Sequence, residues 1–192
     1  MSSLVPLPAP PDDACLGFVN TRYWRGSAEP TETLGSPRAV LEWAATGPVL
    51  PGLSECQATA WHGGLLALRE VLFRLLAAAA AAAPPAPDDL AAFNAALAEA
   101  PARRRLCDAG DAYGVAPAAG SMAALLAPVL WSAADLLAGR RRASLRQCAN
   151  PLCGWLFLDD SKSGNRRWCM MSACGNRAKA RRHYLKRKQE GK

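Results

Sequence analysis

Four cysteines near the C-terminus, Cys148, Cys153, Cys169 and Cys174, fall as two pairs, with four residues between partners and fifteen between the pairs. Paired thiolates at this spacing point to a metal site: one pair grips an ion from a tight turn, and a second pair returning after a short hairpin completes a tetrahedron. Pro151 and Gly154 are turn residues that let the backbone of the first pair wrap a metal. The ion expected is Zn²⁺, one per chain, in a structural role. Four thiolates leave no open coordination position, and no carboxylate base is evident beside them, so an enzyme ranks last among the readings. Two disulfides would need an oxidising compartment, and the first fifteen residues lack the basic start and apolar core of a secretory signal. Cys15, Cys56 and Cys107 are scattered and read as inert thiols.

The elements that must hold these ligands are legible in outline. Trp155–Leu158 reads as a short strand, Ser161–Asn165 as a turn, and Arg166–Trp168 as a returning strand that delivers Cys169. A helix should run from Ser172 to about Lys188 with Cys174 in its first turn. Knuckle, hairpin and helix in this order make a treble-clef-like zinc finger. Trp168 reads as finger core. Arg166 or Arg167 is expected to offset the thiolate charge or to pair with Asp159.

The helix itself is strongly basic, and no acidic residue lies between Cys169 and Gln189. At 100° per residue Arg177, Arg181 and Lys188 share one flank, while Lys179, Arg182 and Lys186 share the other. The strip Ala173, Ala180 and Tyr184 is expected to dock on the hairpin. A solvated helix normally intersperses carboxylates for i,i+4 pairs. An unbalanced field of this kind is matched by an anion, and phosphate backbone is the natural one. Arg177, Lys179, Arg181, Arg182, Lys186 and Arg187 are therefore the expected nucleic-acid contacts, with Arg177, beside a metal ligand, as the candidate base reader.

The run Cys174-Gly175-Asn176-Arg177, preceded by Arg166-Arg167-Trp168-Cys169 and by Phe157-Leu158-Asp159, closely resembles the CGNR zinc finger. That module follows a helical ABATE domain in bacterial proteins regarded as stress-induced transcription regulators. Upstream the likeness is looser, carried by Phe18-Val19-Asn20-Thr21 and the order of helices. One departure is that Ser163 stands where the family turn carries asparagine, with Asn165 two positions later. The resemblance implies a signal-sensing or regulatory N-terminal domain.

The 192 residues bound what precedes the finger, and the 51% hydrophobic share is ample for a core. The net charge of +7 hides a division: residues 140–192 carry fifteen Arg and Lys against three acids, a net +12, while residues 1–139 carry eight against thirteen, a net −5. No apolar run approaches the length of a membrane span, so a cytoplasmic protein without membrane contact is expected.

In chain order, residues 1–14 read as a flexible tail, 15–139 as a helical ABATE-like domain and 140–192 as the finger. Ser36-Pro37 starts one helix, with Leu41 and Ala44/Ala45 inward and Trp43 at the core's edge. Ser54 and Gln57 form a capping box opening a long helix whose stripe is Trp61, Leu65, Leu68, Leu72 and Leu75/Leu76, continued by seven alanines to Pro84. Asp88/Asp89 cap a third helix with Leu90, Phe93 and Leu97 inward. Arg103–Ala109 and Tyr113–Ala116 form a hairpin about Gly110-Asp111. Ser121 starts a fourth helix, kinked at Pro128 and ending at Gly139. The fold class expected is mainly α with one small β-hairpin in the N-terminal domain.

His62 reads as a satisfied helix-face histidine. Asn20, Thr21, Arg22 and Trp24 are candidates to line a small-molecule pocket, or else to tie the N-terminal segment to the long helix. The leading functional reading is a DNA-binding transcriptional regulator whose helical domain senses a signal or dimerises. The alternative is a non-enzymatic finger binding RNA or a protein.

Overall fold

The computed structural model describes residues 13–50, 52–101, 106–108, 113–115 and 120–190, and of residues 106–108, 113–115, 185, 186, 189 and 190 only the backbone. Residues 1–12 of the expected tail, the Gly110-Asp111 turn and the Lys186 side chain lie outside the described residues, whereas Ala14, expected in the tail, is buried in the first helix.

The chain is mainly helical, as expected. Helix α1 (Ala14–Val19) leads into a two-stranded antiparallel ribbon, β1 (Arg22–Tyr23) with β2 (Thr31–Glu32), in which Arg22 faces Glu32 and Tyr23 faces Thr31. Helix α2 (Pro37–Thr46) starts where Ser36 accepts the Ala39 N–H at 3.2 Å. The long helix α3 (Glu55–Ala80) opens on the capping box, with Ser54 and Gln57 each satisfying the other's backbone N–H. Its 26 residues span about 39 Å. Helix α4 (Pro87–Glu99) follows, then the hairpin β3 (Leu106–Asp108) with β4 (Tyr113–Val115). Two helices come next, α5 (Met122–Leu125) and α6 (Ala127–Ala138). A 3-10 turn, Arg140–Ser144, delivers β5 (Leu145–Gln147), which pairs antiparallel with β6 (Leu156–Leu158). A π-turn, Met171–Gly175, opens the last helix, α7 (Asn176–Glu190).

Helix α3 is the axis: α1, α2, α4, α6 and β5 all pack on it. Its stripe of Leu65, Leu68, Leu72, Leu75 and Leu76 is buried against Phe18 and Val19 of α1, Val40 of α2 and Leu130 of α6. Each buried leucine contributes about 2 kcal/mol. The same core contains Leu145, Leu156 and Leu158 from the C-terminal hairpin, so packing crosses the expected boundary at residue 139. Gly64 faces the Met122 sulfur, which would lie 3.3 Å from an added Cβ, so the Gly63-Gly64 interruption is in part a close approach.

Several local expectations are corrected. In α2 the buried residue is Val40; Leu41 is half-buried and Ala45 exposed. Asp88 and Asp89 do not cap α4, because Pro87 already occupies its first turn with Ala86 at the cap position; Asp89 instead receives a bidentate pair from Arg74. Leu90 is 42% exposed rather than inward. The expected kinked helix is two helices, since the chain breaks at Leu126 and places Pro128 in a first turn, where its missing N–H costs nothing.

The alanine run ends at a left-handed residue. Ala82 has φ of 51°, and the Ala83 N–H returns to the Ala78 carbonyl at 2.9 Å, a Schellman closure made without glycine. A left-handed L-residue costs roughly 1 kcal/mol. Ala82→Gly should therefore stabilise the fold by about 0.5–1 kcal/mol, read as a higher urea midpoint at unchanged slope; a lower midpoint would contradict the assignment.

Candidate metal centre and basic helix

The hairpin β5–β6 carries the first ligand pair in its connection. Cys148 donates its N–H to the Trp155 carbonyl at 2.8 Å and Cys153 to the Asn150 carbonyl at 2.9 Å, folding Ala149–Gly154 into a knuckle. Gly154 takes a φ of 71°, and a Cβ there would sit 2.8 Å from Arg25 Cβ. The partner strand of Leu156–Leu158 is thus the upstream β5. Arg166–Trp168 was expected in that place and is not a strand; it is held by the Ala149 N–H to the Arg167 carbonyl at 2.8 Å. The physical reason is that a knuckle needs its two stems paired, and those stems are the residues flanking Cys148 and Cys153.

The second pair arrives through Asp159 and Arg166. Buried Asp159 accepts from the Ser161 N–H at 3.1 Å and hydroxyl at 2.5 Å, and from the Arg166 N–H at 2.8 Å. These bonds hold its carboxyl below the usual range against the opposing effect of desolvation. The Arg166 guanidinium donates to the carbonyls of Trp168 and Cys169 and lies 4.6 Å from the Phe157 ring centroid. It braces the ligand arm rather than meeting the sulfurs. Arg167 lies over Trp168, which is half-buried and packs on the cysteine cluster as expected.

All four sulfurs lie within 4.8 Å of one another, with Cys153 to Cys169 and Cys169 to Cys174 both at 3.7 Å. A tetrahedron of Zn–S bonds near 2.3 Å has edges of about 3.8 Å, so the cage fits zinc. Burial pushes the Cys153 thiol up to about 12 and the Cys169 thiol higher. In Cys174 an Asn150 amide N–H at 3.5 Å and the neighbouring thiols outweigh burial and lower it. Cys148, Cys153, Cys169 and Cys174 would hold one zinc ion, which when bound would cross-link the knuckle to the helix start.

Each residue of the run 174–177 has a visible task. Cys174 is a ligand. A Cβ on Gly175 would lie 2.8 Å from the Met171 sulfur. Asn176 donates its amide to the Ser172 carbonyl at 3.2 Å, and the Arg177 guanidinium stands 4.3 Å from the Trp24 ring centroid. Beyond this start α7 leaves the body of the protein. Arg177, Lys179, Arg181, Arg182 and Arg187 are exposed, and so are Ala180 and Tyr184, the latter at 66%. The strip expected to dock on the hairpin does not dock, because the helix runs past the hairpin after its first turn.

The segment 20–26 straps the knuckle to α3. Asn20 donates its amide to the Leu156 carbonyl at 2.8 Å and accepts the Leu156 N–H at 3.1 Å, pairing with strand β6 as a neighbouring strand would. The N–H groups of Arg25 and Gly26 donate to the carbonyls of Cys153 and Leu152, both at 3.3 Å, and a Cβ on Gly26 would lie 2.1 Å from the Pro151 oxygen. Trp24 takes a φ of 52° in this strap. Beneath it lies a charge network. Fully buried Arg69 reaches Glu32 through both terminal nitrogens, Thr21 Oγ1 at 3.1 Å and Glu70 at 3.0 Å. Arg25 donates to Glu70 at 2.5 Å and lies 3.8 Å from the Phe73 ring centroid, while Arg22 stands 3.6 Å from Glu70. Asn20, Thr21, Arg22 and Trp24 are thus engaged within the protein. His62 donates from Nε2 to the Leu34 carbonyl at 2.7 Å, a satisfied histidine. The network escaped sequence reasoning; its one signal was Arg69-Glu70 interrupting an apolar stripe.

Two family models match the chain. The ABATE family model, described as "Putative stress-induced transcription regulator", matches residues 12–140, and the CGNR zinc finger model matches residues 144–187. No curated protein matches the chain. Neither family is an enzymatic one, and no helix among the described residues is long and apolar enough to cross a membrane. With the match spanning more than half of its length, the chain belongs to the ABATE family and carries a CGNR zinc finger at its C-terminal end.

Proposed function

We propose that the protein is a zinc-dependent, DNA-binding transcriptional regulator whose α7 engages the phosphate backbone. The observation that carries this is a helix polar on every side, free of acidic residues until its last position, that packs on the protein only at its start. Such a helix has no intramolecular reason for its charge. Arg177 is already committed to Trp24, so the flank of Lys179, Arg182 and Lys186 should dominate, with Arg181 and Arg187 beside it. About five phosphate contacts give a log-affinity against log-salt slope of roughly −4 to −5 on duplex DNA. Triple alanine substitution of Lys179, Arg182 and Lys186 should make that slope shallower by about three units. The Arg177/Arg181/Lys188 triple should change it less. Equal, salt-insensitive affinities for wild type and both triples would remove DNA as the partner.

One observation favours a second reading, a protein partner. Between the knuckle and α7 lies a cleft of about 380 Å³ walled by Leu152, Trp168 and Arg177, with Leu152 half exposed at its lip. Salt-insensitive, equal affinities for RNA and duplex DNA in parallel titrations would favour this protein partner over nucleic acid. The helical domain is the sensing or dimerising part in either case.

A further inference from the structure

An unassigned concavity lies where the helical domain meets the finger, and it is built unlike the strap. Leu75 of α3, Leu90 of α4, Leu137 of α6 and Leu145 of β5 wall a pocket of about 630 Å³, within the range of small-molecule sites. The small side chains at the end of α3 leave its space open. Its lining residues include no carboxylate, and its only charged ones are Arg142 and Arg146. Arg146 lines the pocket and is held in place from one side, since Nη1 donates to the carbonyls of Ala143 at 2.6 Å and Leu145 at 2.9 Å, while its charge also acts on Asp159. The Leu90 side chain is 42% exposed on this wall, so an occupant of the pocket would cover apolar surface that the fold leaves open.

Apolar walls with two cations, one of them held by backbone carbonyls, and no carboxylate in the lining complement one ligand chemistry. We infer that this pocket binds an amphipathic organic anion, a carboxylate on an aromatic or branched apolar body, with the carboxylate on Arg142 and Arg146 and the body against the leucines. This goes beyond DNA binding by α7 and does not depend on it. The position has a consequence for signalling: Arg146 lies in β5, two residues before the first zinc ligand, so an occupant touches the strand that carries Cys148.

The test uses the zinc-loaded full chain and isothermal titration with 1-naphthylacetate, beside its neutral analogue 1-naphthylacetamide. One saturable site per chain is expected, with the amide bound at least about tenfold more weakly because it forfeits the charge-assisted bonds. Arg142→Ala should weaken the acid about tenfold and leave the amide unchanged. Leu137→Trp, which fills the pocket, should abolish binding. As Leu137 is half-buried and its replacement can disturb folding, Leu90→Trp on the exposed wall is the companion variant, with the same loss expected. Alanine at Lys179, Arg182 and Lys186 should leave binding intact. Equal affinity for acid and amide, unchanged binding in Leu90→Trp, or loss of binding in the α7 triple would each overturn the assignment, the last by showing that the anion merely condenses on the finger helix.

Discussion

Serine in place of Cys153 should strip the protein of zinc and destroy the order of residues 146–188. The four sulfurs bring the knuckle and the start of α7 together in one cluster. A structural zinc of this kind contributes about 10–16 kcal/mol at neutral pH, as much as the whole stability of an ordinary domain. The damage should not stop at the finger, because Leu145, Leu156 and Leu158 belong to the same core as the α3 leucines. Metal analysis should fall from one zinc per chain to none, and the thermal transition of the entire chain should broaden and drop by tens of degrees. Serine at Cys148, Cys169 or Cys174 should act alike, whereas substitutions at Cys15, Cys56 and Cys107 should leave the zinc content unchanged. A Cys153→Ser protein that kept stoichiometric zinc and its melting temperature would defeat this account.

Replacing Arg69 by methionine should cost about 3–5 kcal/mol, since it leaves the half-buried Glu32 and Glu70 carboxylates with part of their compensation gone. Methionine keeps much of the apolar stem, so most of the loss comes from the guanidinium and its hydrogen bonds. Restoring balance with Glu32→Gln in the same chain should recover part of it. The network also fixes an acid response. Burial works to raise both glutamates, but the guanidinium of Arg69 on Glu32, and those of Arg25 and Arg69 on Glu70, outweigh it and lower them. A lowered folded-state value means stability fully present above the unfolded glutamate value of about 4.3, and lost as pH falls below it through the depressed folded values. Urea midpoints measured from pH 6 downward should fall steeply below about pH 4.3 in wild type and less so in Arg69→Met. Parallel profiles would show that the network contributes nothing to acid lability.

The zinc ligands were legible because metal coordination imposes spacing on the chain itself: Cys148 and Cys153 must span one knuckle whatever surrounds them. The capping box at Ser54 and Gln57 and the leucine stripe of α3 were legible for the same reason, each being a local pattern with one geometric solution. What sequence reading missed depends on partners remote in the chain. Asn20 looks like any loop asparagine until Leu156 is brought beside it, and Gly26 reveals nothing until Pro151 stands 2.1 Å from where its Cβ would be. The strand paired with Leu156–Leu158 was sought downstream because Arg166–Trp168 follows a turn, whereas three residues of β5, too short for visible alternation, do the pairing. The Tyr184 strip failed differently: helical periodicity shows which residues share a side, not whether anything lies opposite.

The bond between Asn20 and Leu156 joins residues 136 positions apart, and that separation dictates a timetable. A ribosome adding roughly 5–20 residues per second delivers Leu156 on the order of ten seconds after Asn20. Throughout that interval α1 and α3 are made but lack the hairpin that completes their core and the knuckle on which their strap closes. Closing so long a loop is slow, and the leucines left uncovered meanwhile are what chaperones hold. The core of the helical part therefore stays incomplete until the hairpin that carries the zinc knuckle has been made and has closed on it.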